Sequence, residues 1–508
     1  MKLAIAQINS VVGDLEGNIK RILDAAKEAK NADLIVFPEM CLPGYPPRDI
    51  LNDASFVSAV ELATSDLARQ TKGLPPMLVG SFKRSGQNLF NHPALQNVVH
   101  LLHNGKLEVA QVKQLLPVYD VFYEPRWFVP GEKTLPPISI AGKRIGILVC
   151  EDMWDQQYTI HPGKDLKAMG ADMLVCLSAS PYRRGGHAGR LRHASRQELP
   201  IVFVNLVGGN DELIFDGGGF ILSGEGELLF QTKRFEAGVS VVDVDVKDPI
   251  QAEQEGTGEL FRALTLGLRD FFRKNHQKNI IIGLSGGIDS SVAAVLAVEA
   301  VGASNVTGVA IPSRFTDERS TQSAMELAKR LGIQLEVIQL EKLHSTAEQV
   351  LGPERSAGKG GENIQARLRM LVLMSFVNQT RGMLLNTSNK TELTLGYSTL
   401  YGDMAGAISP LGDLTKPEVY ELTRWVNRNE VIIPSFCMER KPSAELNEGQ
   451  VDPFDYDVVA PEMEQFVLRD QSDARMRSSE HKRRQMGMVL KVSERAFGSG
   501  RLMPITRR

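Results

Sequence analysis

The chain has 508 residues, room for roughly two to four domains, and its 43% hydrophobic and 23% charged content is that of a globular protein with ample core. The net charge of −3 leaves no basic surplus to suggest DNA or RNA, and no stretch approaches the ~20 apolar residues of a membrane helix. Cys41, Cys150, Cys176 and Cys437 stand far apart without C-x-x-C or zinc-type spacing, and the first residues make no signal peptide, so a cytoplasmic protein is expected.

In chain order, LAIAQI reads as a strand, NIKRILDAAKEAK as a helix with apolar residues at helical spacing, and ADLIVFPE as a buried strand. RIGILVC, ADMLVCLSAS and PIVFVNLVG follow as apolar strands that end in small or polar residues. FDGGGFILSGEGELLF reads as a glycine-turned hairpin, and VSVVDVDV alternates as a half-buried strand does. KDPIQAEQEGTGE is polar and turn-rich, and makes the best linker. Domains are therefore expected at 1–246 and 259–508, joined by 247–258. After the linker, LFRALTLGLRDFFRK is an amphipathic helix. NIIIGL then leads into SSVAAVLAVEAV, NVTGVAIP into RSTQSAMELAKRL, and QLEVIQL follows. This regular βα alternation predicts a doubly wound parallel sheet. No internal repeat or low-complexity tract interrupts either half.

The sharpest local signal is IIIGLSGGIDSSVAAVLA, a strand that runs through Leu284, Ser285, Gly286, Gly287, Ile288, Asp289, Ser290 and Ser291 into a helix. Paired glycines bring backbone N–H groups against an anion, and the helix N-terminus adds its positive end. Asp289 would repel a phosphate unless Mg²⁺ bridged the two. The plainer alternative is a generic βα turn. A Walker A loop is excluded, since in AGKGG Gly360 stands where Ser or Thr is required.

The loop resembles that of the ATP pyrophosphatases, which implies adenylation of a substrate with pyrophosphate leaving. Downstream, ENIQARLRM, LLNTSNKTELTLGYSTLYGD, LGDLTKPEVY, KPSAEL and HKRRQMG resemble the NAD synthetase family, in its order. That resemblance implies ATP contacts at Thr387, Lys416 and Ser443, with Mg²⁺ on Asp289 and Glu392. It implies deamido-NAD contacts at Asn363, Arg367, Glu392, His481 and Lys482. The alternatives are ordinary: Arg367 and Lys482 as solvated helix charges, Glu392 as a surface acid. Leu400 and Ala407 stand where the stand-alone, ammonia-using relatives carry Lys and Asp.

In the first half, Cys150 closes the strand RIGILVC, at the carboxyl end where αβ folds place their chemistry. A nucleophilic thiol needs a base and a donor for the oxyanion. Glu39, closing DLIVFPE, and Lys113, in VAQVKQLLPVYDVFYEPRWFVPG, are the candidates. Each has a plain alternative: a buried cysteine as a small hydrophobe, as expected for Cys176, a capping or surface glutamate, and one lysine among many. With their flanks, Glu39, Lys113 and Cys150 resemble the nitrilase superfamily triad. The resemblance implies an α-β-β-α sandwich, Glu39 as base, Lys113 on the oxyanion and Glu124 orienting the triad. It further implies a γ-glutamyl thioester on Cys150, and glutamine contacts at Tyr119 and Ser180. A basic residue often follows that serine at a fixed distance; here Gly186 stands there, with Arg183 and Arg184 as substitutes.

A nitrilase-like domain joined to this synthetase resembles the glutamine-dependent NAD synthetases over nearly the whole chain. The fold implied is α/β in two domains, the sandwich first and then the parallel sheet with its ATP pyrophosphatase loop. The implied partners are deamido-NAD, ATP and L-glutamine, with Mg²⁺. No nucleic acid or membrane is expected, and a homo-oligomer is. Ammonia, protonated if free at neutral pH, is expected to move along a shielded passage. Two other readings remain: an amidase whose second domain senses adenine nucleotide, and an RNA-modifying enzyme with the same loop. The missing basic surplus and paired cysteines count against the latter.

Overall fold

Alternation along the first strands builds the first half of the molecule. The computed structural model describes residues 1–87, 93–469 and 477–498, and divides into two units, Met1–Gln254 and Glu255–Arg508. The first unit contains β1 (Lys2–Gln7), β2 (Leu34–Val36), β3 (Met77–Gln87), β4 (Pro93–His103), β5 (Lys106–Val112), β6 (Ile138–Ile140) and β7 (Lys143–Val149). It continues with β8 (Met173–Ser178), β9 (Ile201–Asn205), β10 (Val207–Asn210), β11 (Leu213–Asp216), β12 (Phe220–Leu222), β13 (Leu228–Gln231) and β14 (Gly238–Asp243).

These strands form two six-stranded sheets, ordered β14-β1-β2-β3-β4-β5 and β13-β12-β9-β8-β7-β6, with β10 and β11 as a separate ribbon. Leu3 and Ile5 of β1 share one buried cluster with Ile147 and Val149 of β7 and Val175 of β8, between the sheets. Ala4 and Ala6 face the other way, onto Ile22 of the helix Leu15–Glu28 and Leu67 of the helix Ala54–Gln70. Leu148 and Cys176 likewise meet Leu166 and Ala194 of the helices Pro162–Ala168 and Gly186–Ser195. The period of two thus gives each sheet one face for its partner and one for helices, the expected α-β-β-α sandwich. Cys176 is fully buried in the helix-facing layer, where its thiol is a small apolar group.

The second unit begins with the helix Thr257–Lys274, which starts inside the segment read as linker. It contains β15 (Ile280–Gly283), β16 (Val306–Ala310), β17 (Gln334–Val337), β18 (Met383–Leu385), β19 (Ile408–Ser409) and β20 (Met488–Val489). All pairings are parallel, in the order β17-β16-β15-β18-β19-β20. Strand order reverses between β15 and β18, and in such a sheet the ligand crevice opens beyond the carboxyl ends at that point. Ser285–Ser291 follows β15 there, and Thr387 follows β18.

Candidate active sites

In the first unit, β7 runs directly into Cys150, whose backbone is left-handed at φ 47°. A residue with a Cβ is held in that region only by its surroundings. Asp152 does the holding: its carboxylate accepts from Val149 N at 3.2 Å, Gln114 N at 3.0 Å and Leu115 N at 2.9 Å. The cysteine turn is thereby fastened to the segment that carries Lys113.

Lys113 follows β5, and its Nζ donates to Glu39 Oε1 and to Glu124 Oε1, both at 2.8 Å. All three side chains are buried. Asn97 Nδ2 donates to Glu39 Oε1 at 2.7 Å, Ala179 N to Glu39 Oε2 at 3.0 Å, and Tyr45 Oη to Glu124 Oε1 at 3.2 Å. Ser178 Oγ lies 3.4 Å from Cys150 Sγ. Burial raises the thiol well above its ordinary value, and Glu39 adds to this while Lys113 opposes it. Burial alone would discharge Lys113, but Glu124 and Glu39 hold its ammonium well above the ordinary lysine value. Burial pushes Glu124 up to about 7 against the pull of Lys113. The result is a neutral thiol beside a carboxylate and a fixed ammonium, a set able to move one proton and to stabilise one new negative charge.

Around this centre, Tyr119 and Tyr158 both donate to Glu151, at 2.8 and 3.0 Å. Ser180 is held through its N–H by Asn205 Oδ1 at 2.9 Å. Gly186 opens a helix, and Arg183 and Arg184 lie just before it, half-buried. Asn97, Tyr45, Ser178, Glu151 and Arg190 escaped the sequence reading. Glu151 had a signal, being the neighbour of Cys150; Asn97 lies in a strand marked by no motif.

In the second unit, Gly286 has φ 73°, and a Cβ there would meet Ser320 O at 2.1 Å. Ser290 and Ser291 hydroxyls donate back to Gly287 O at 3.0 and 2.8 Å and fasten the loop to its helix, Ile288–Val301. A cavity beyond the loop is lined by Leu284, Ser285, Gly287, Ile288, Asp289 and Ser290, and also by Thr387, Glu392, Lys416 and Ser443. Lys416 Nζ bonds Asp289 and sits 3.4 Å from Glu392 Oε1. Asn389 Nδ2 donates to Asp289 Oδ1 at 3.0 Å. Burial pushes Glu392 up to about 7, with Lys416 opposing and Asp289 reinforcing the shift. Burial works against the Lys416 charge, yet the two carboxylates hold it above the ordinary lysine value.

Asp289 and Glu392 therefore converge on one positive charge, which suits a cation between them. Among the described residues no cluster of three or more metal-ligating side chains occurs. A Mg²⁺ there would need substrate phosphates and waters to complete its shell, its usual habit.

The other candidates gather elsewhere. Thr399 Oγ1 donates to Asn363 Oδ1 at 2.7 Å, Arg367 Nε to Leu400 O at 3.1 Å, and Lys482 Nζ to Gly396 O and Ser398 O at 2.8 Å. All three grip the turn 396–400, while His481 is exposed on the helix Glu480–Arg483. Gly286, Ser291, Asn363, Arg367, His481 and Lys482 are outside the cavity lining. Arg369 and Asp403, unremarked in the sequence, do line it. Burial brings Arg369 down to about 10 and Asp403 up to about 6.

A family model described as carbon-nitrogen hydrolase matches residues 2–254, and one described as NAD synthase matches 260–495. The glutamine-dependent NAD(+) synthetase of Synechocystis sp. is 37% identical, over 99% of this chain and 98% of its own. The chain belongs to the glutamine-dependent NAD(+) synthetases. The synthetase of Thermotoga maritima is 34% identical over 100% of this chain and 99% of its own. The solved structure of the glutamine-dependent NAD+ synthetase from Acinetobacter baumannii, in complex with adenosine diphosphate, matches with a TM-score of 0.80. It is 30% identical, covering 99% of this chain and 98% of that one. In this family member the buried thiol lies in the carbon-nitrogen hydrolase match and the glycine-turned loop in the NAD synthase match.

Proposed function

We propose that the chain is a carbon–nitrogen ligase that converts deamido-NAD to NAD with ATP, taking its nitrogen from glutamine. The observation that carries this reading is the buried Glu39–Lys113–Glu124 network beside Cys150, in a chain that also holds the Gly286-turned loop.

Glutamine hydrolysis begins when Cys150 Sγ attacks the carboxamide carbon and Glu39 takes the thiol proton. The Lys113 ammonium faces the oxygen on which negative charge develops, and Glu124 keeps that ammonium in place. Collapse expels ammonia, the proton returning from Glu39, and leaves a γ-glutamyl thioester; water activated by Glu39 then frees glutamate. Tyr119 and Ser180 contact the glutamine backbone.

In the second unit the nicotinate carboxylate of deamido-NAD attacks the α-phosphorus of ATP and pyrophosphate leaves. Ammonia then attacks the acyl carbon and AMP departs. Leu284–Ser291, Thr387, Lys416 and Ser443 bind ATP, while Asn363, Arg367, Glu392, His481 and Lys482 bind deamido-NAD. A Mg²⁺ held by Asp289 and Glu392 would supply charge neutralisation between carboxylates and phosphates. Residues 1–246 form the amidase, 247–258 the linker and 259–508 the synthetase. We assign the enzyme to the cytoplasm, which suits its four free, buried cysteines. The exposed Leu371 and Met374 suit a homo-oligomer.

The test is NAD formation by Cys150→Ala with glutamine or with ammonium as donor. Activity with ammonium and none with glutamine is expected. Undiminished activity with glutamine would remove Cys150 as nucleophile. Ammonia release without AMP and pyrophosphate would favour an amidase with a nucleotide-sensing domain.

A further inference from the structure

β8 ends at Ser178, and Ala179 and Ser180 follow it beside the thiol site. Ser178 reaches Cys150 Sγ, Ala179 N bonds Glu39, and Ser180 comes next. Behind Ser180 lies Arg190, on the helix Gly186–Ser195 and only 1% exposed. Its Nε donates to Ser180 Oγ at 3.2 Å, and one terminal nitrogen donates to both Ser180 O and Pro181 O at 3.1 Å. The other terminal nitrogen meets the two Asp216 oxygens at 2.8 and 3.0 Å. Asp216 is fully buried and also pairs with Arg234. Every nitrogen of the Arg190 fork is thus engaged, and its plane is fixed.

We propose that Arg190 is a positioning residue that makes Ser180 a one-way donor for the α-carboxylate of glutamine. A serine hydroxyl can accept or donate and rotates to suit. Here the guanidinium N–H occupies the oxygen's acceptor side, and among the described residues the hydroxyl donates its own hydrogen to no other group. The adjacent positive charge polarises that O–H further, so the group presented to substrate favours an anion. Lysine could not reproduce this, since a point charge cannot span three acceptors and a carboxylate in one plane.

The inference rests on the glutaminase reading above. The experiment measures ammonia release by the full chain from glutamine and from 4-aminobutanamide, which keeps the carboxamide and the ammonium but lacks the α-carboxylate. Arg190→Gln is expected to raise KM for glutamine by roughly tenfold with kcat within about twofold, and to leave kcat/KM for 4-aminobutanamide unchanged. Arg190→Lys, which keeps the buried charge, serves if the glutamine variant does not fold, with the same selective loss expected. Adding Ser180→Ala to either variant is expected to cost nothing more. An equal loss on both amides, no loss on either, or a further loss in the double variant would overturn the proposal. A parent chain that hydrolyses neither amide would instead sink the glutaminase reading.

Discussion

At the residue scale, the two glycines of the loop after β15 do different work. Gly286 needs both its left-handed backbone and its missing side chain, because a Cβ would overlap the Ser320 carbonyl at 2.1 Å. Gly287 has an ordinary backbone, and its Cβ would meet only the Ser285 hydroxyl at 3.1 Å, a side chain that can turn away. Gly286→Ala is therefore expected to destabilise the chain by about 1–3 kcal/mol and to cut NAD formation more than about tenfold with either nitrogen donor. Gly287→Ala should cost less than about 1 kcal/mol in the same denaturant titration. Equal effects at the two positions would mean that the loop relaxes away from Ser320.

At the element scale, β4 is a core strand that carries polar cargo. Its Asn97 bonds Glu39, and three residues on, His100 is 5% exposed. Burial, with Lys83 adding, lowers the His100 imidazole to about 4. Unfolded histidine titrates near about 6.5, so between those values the unfolded chain takes up a proton that the folded chain refuses. Stability is full above the unfolded value and falls as pH drops toward about 4. The loss is about 1.4 kcal/mol per pH unit, and about 3 kcal/mol across the window. Melting of parent and His100→Gln between pH 7.5 and 5 checks this: the variant's midpoint should fall less steeply, and parallel slopes would exclude His100 as the source.

The same strand shows where sequence reading stops. The strands β1, β2, β7, β8 and β9 are legible because their apolar runs face either the partner sheet or a helix, and polarity begins only where they end. Cys150, Glu39 and the Ser285–Ser291 loop sit at such ends and were legible with them. The strands β3, β4 and β5 were not read, because buried Ser81, Asn97, His100 and Gln111 interrupt their pattern. Polar groups turned inward for a site break the local rule on which strand recognition depends. Asn363, Arg367 and Lys482 were legible as residues, but not their convergence on backbone carbonyls and a hydroxyl of the turn 396–400. Contacts to backbone leave little trace in side-chain pattern.

At the scale of the whole molecule, each unit has its own buried clusters and its own candidate chemistry, so neither site explains the apolar surface that remains. In the second unit, Leu371 is 61% and Met374 39% exposed, three residues apart on the helix Gly358–Thr380 and hence on one face. The helix Glu341–Leu351 ends with Val350 79% and Leu351 37% exposed. Leucine and methionine left on a long helix cost solvation unless another surface covers them, and a second copy of the chain is the occupant proposed here. Replacing both Leu371 and Met374 with glutamate puts like charges against each other across a two-fold contact, where self-complementarity doubles every substitution. The expected outcome in sedimentation equilibrium is a fall in mass from a multiple of the 56.0 kDa chain toward the single chain. Glutamine hydrolysis should persist, since Cys150 and its partners lie in the other unit. A parent that sediments as a single chain would rule out the homo-oligomer, and an assembled double variant would move its contact to another face.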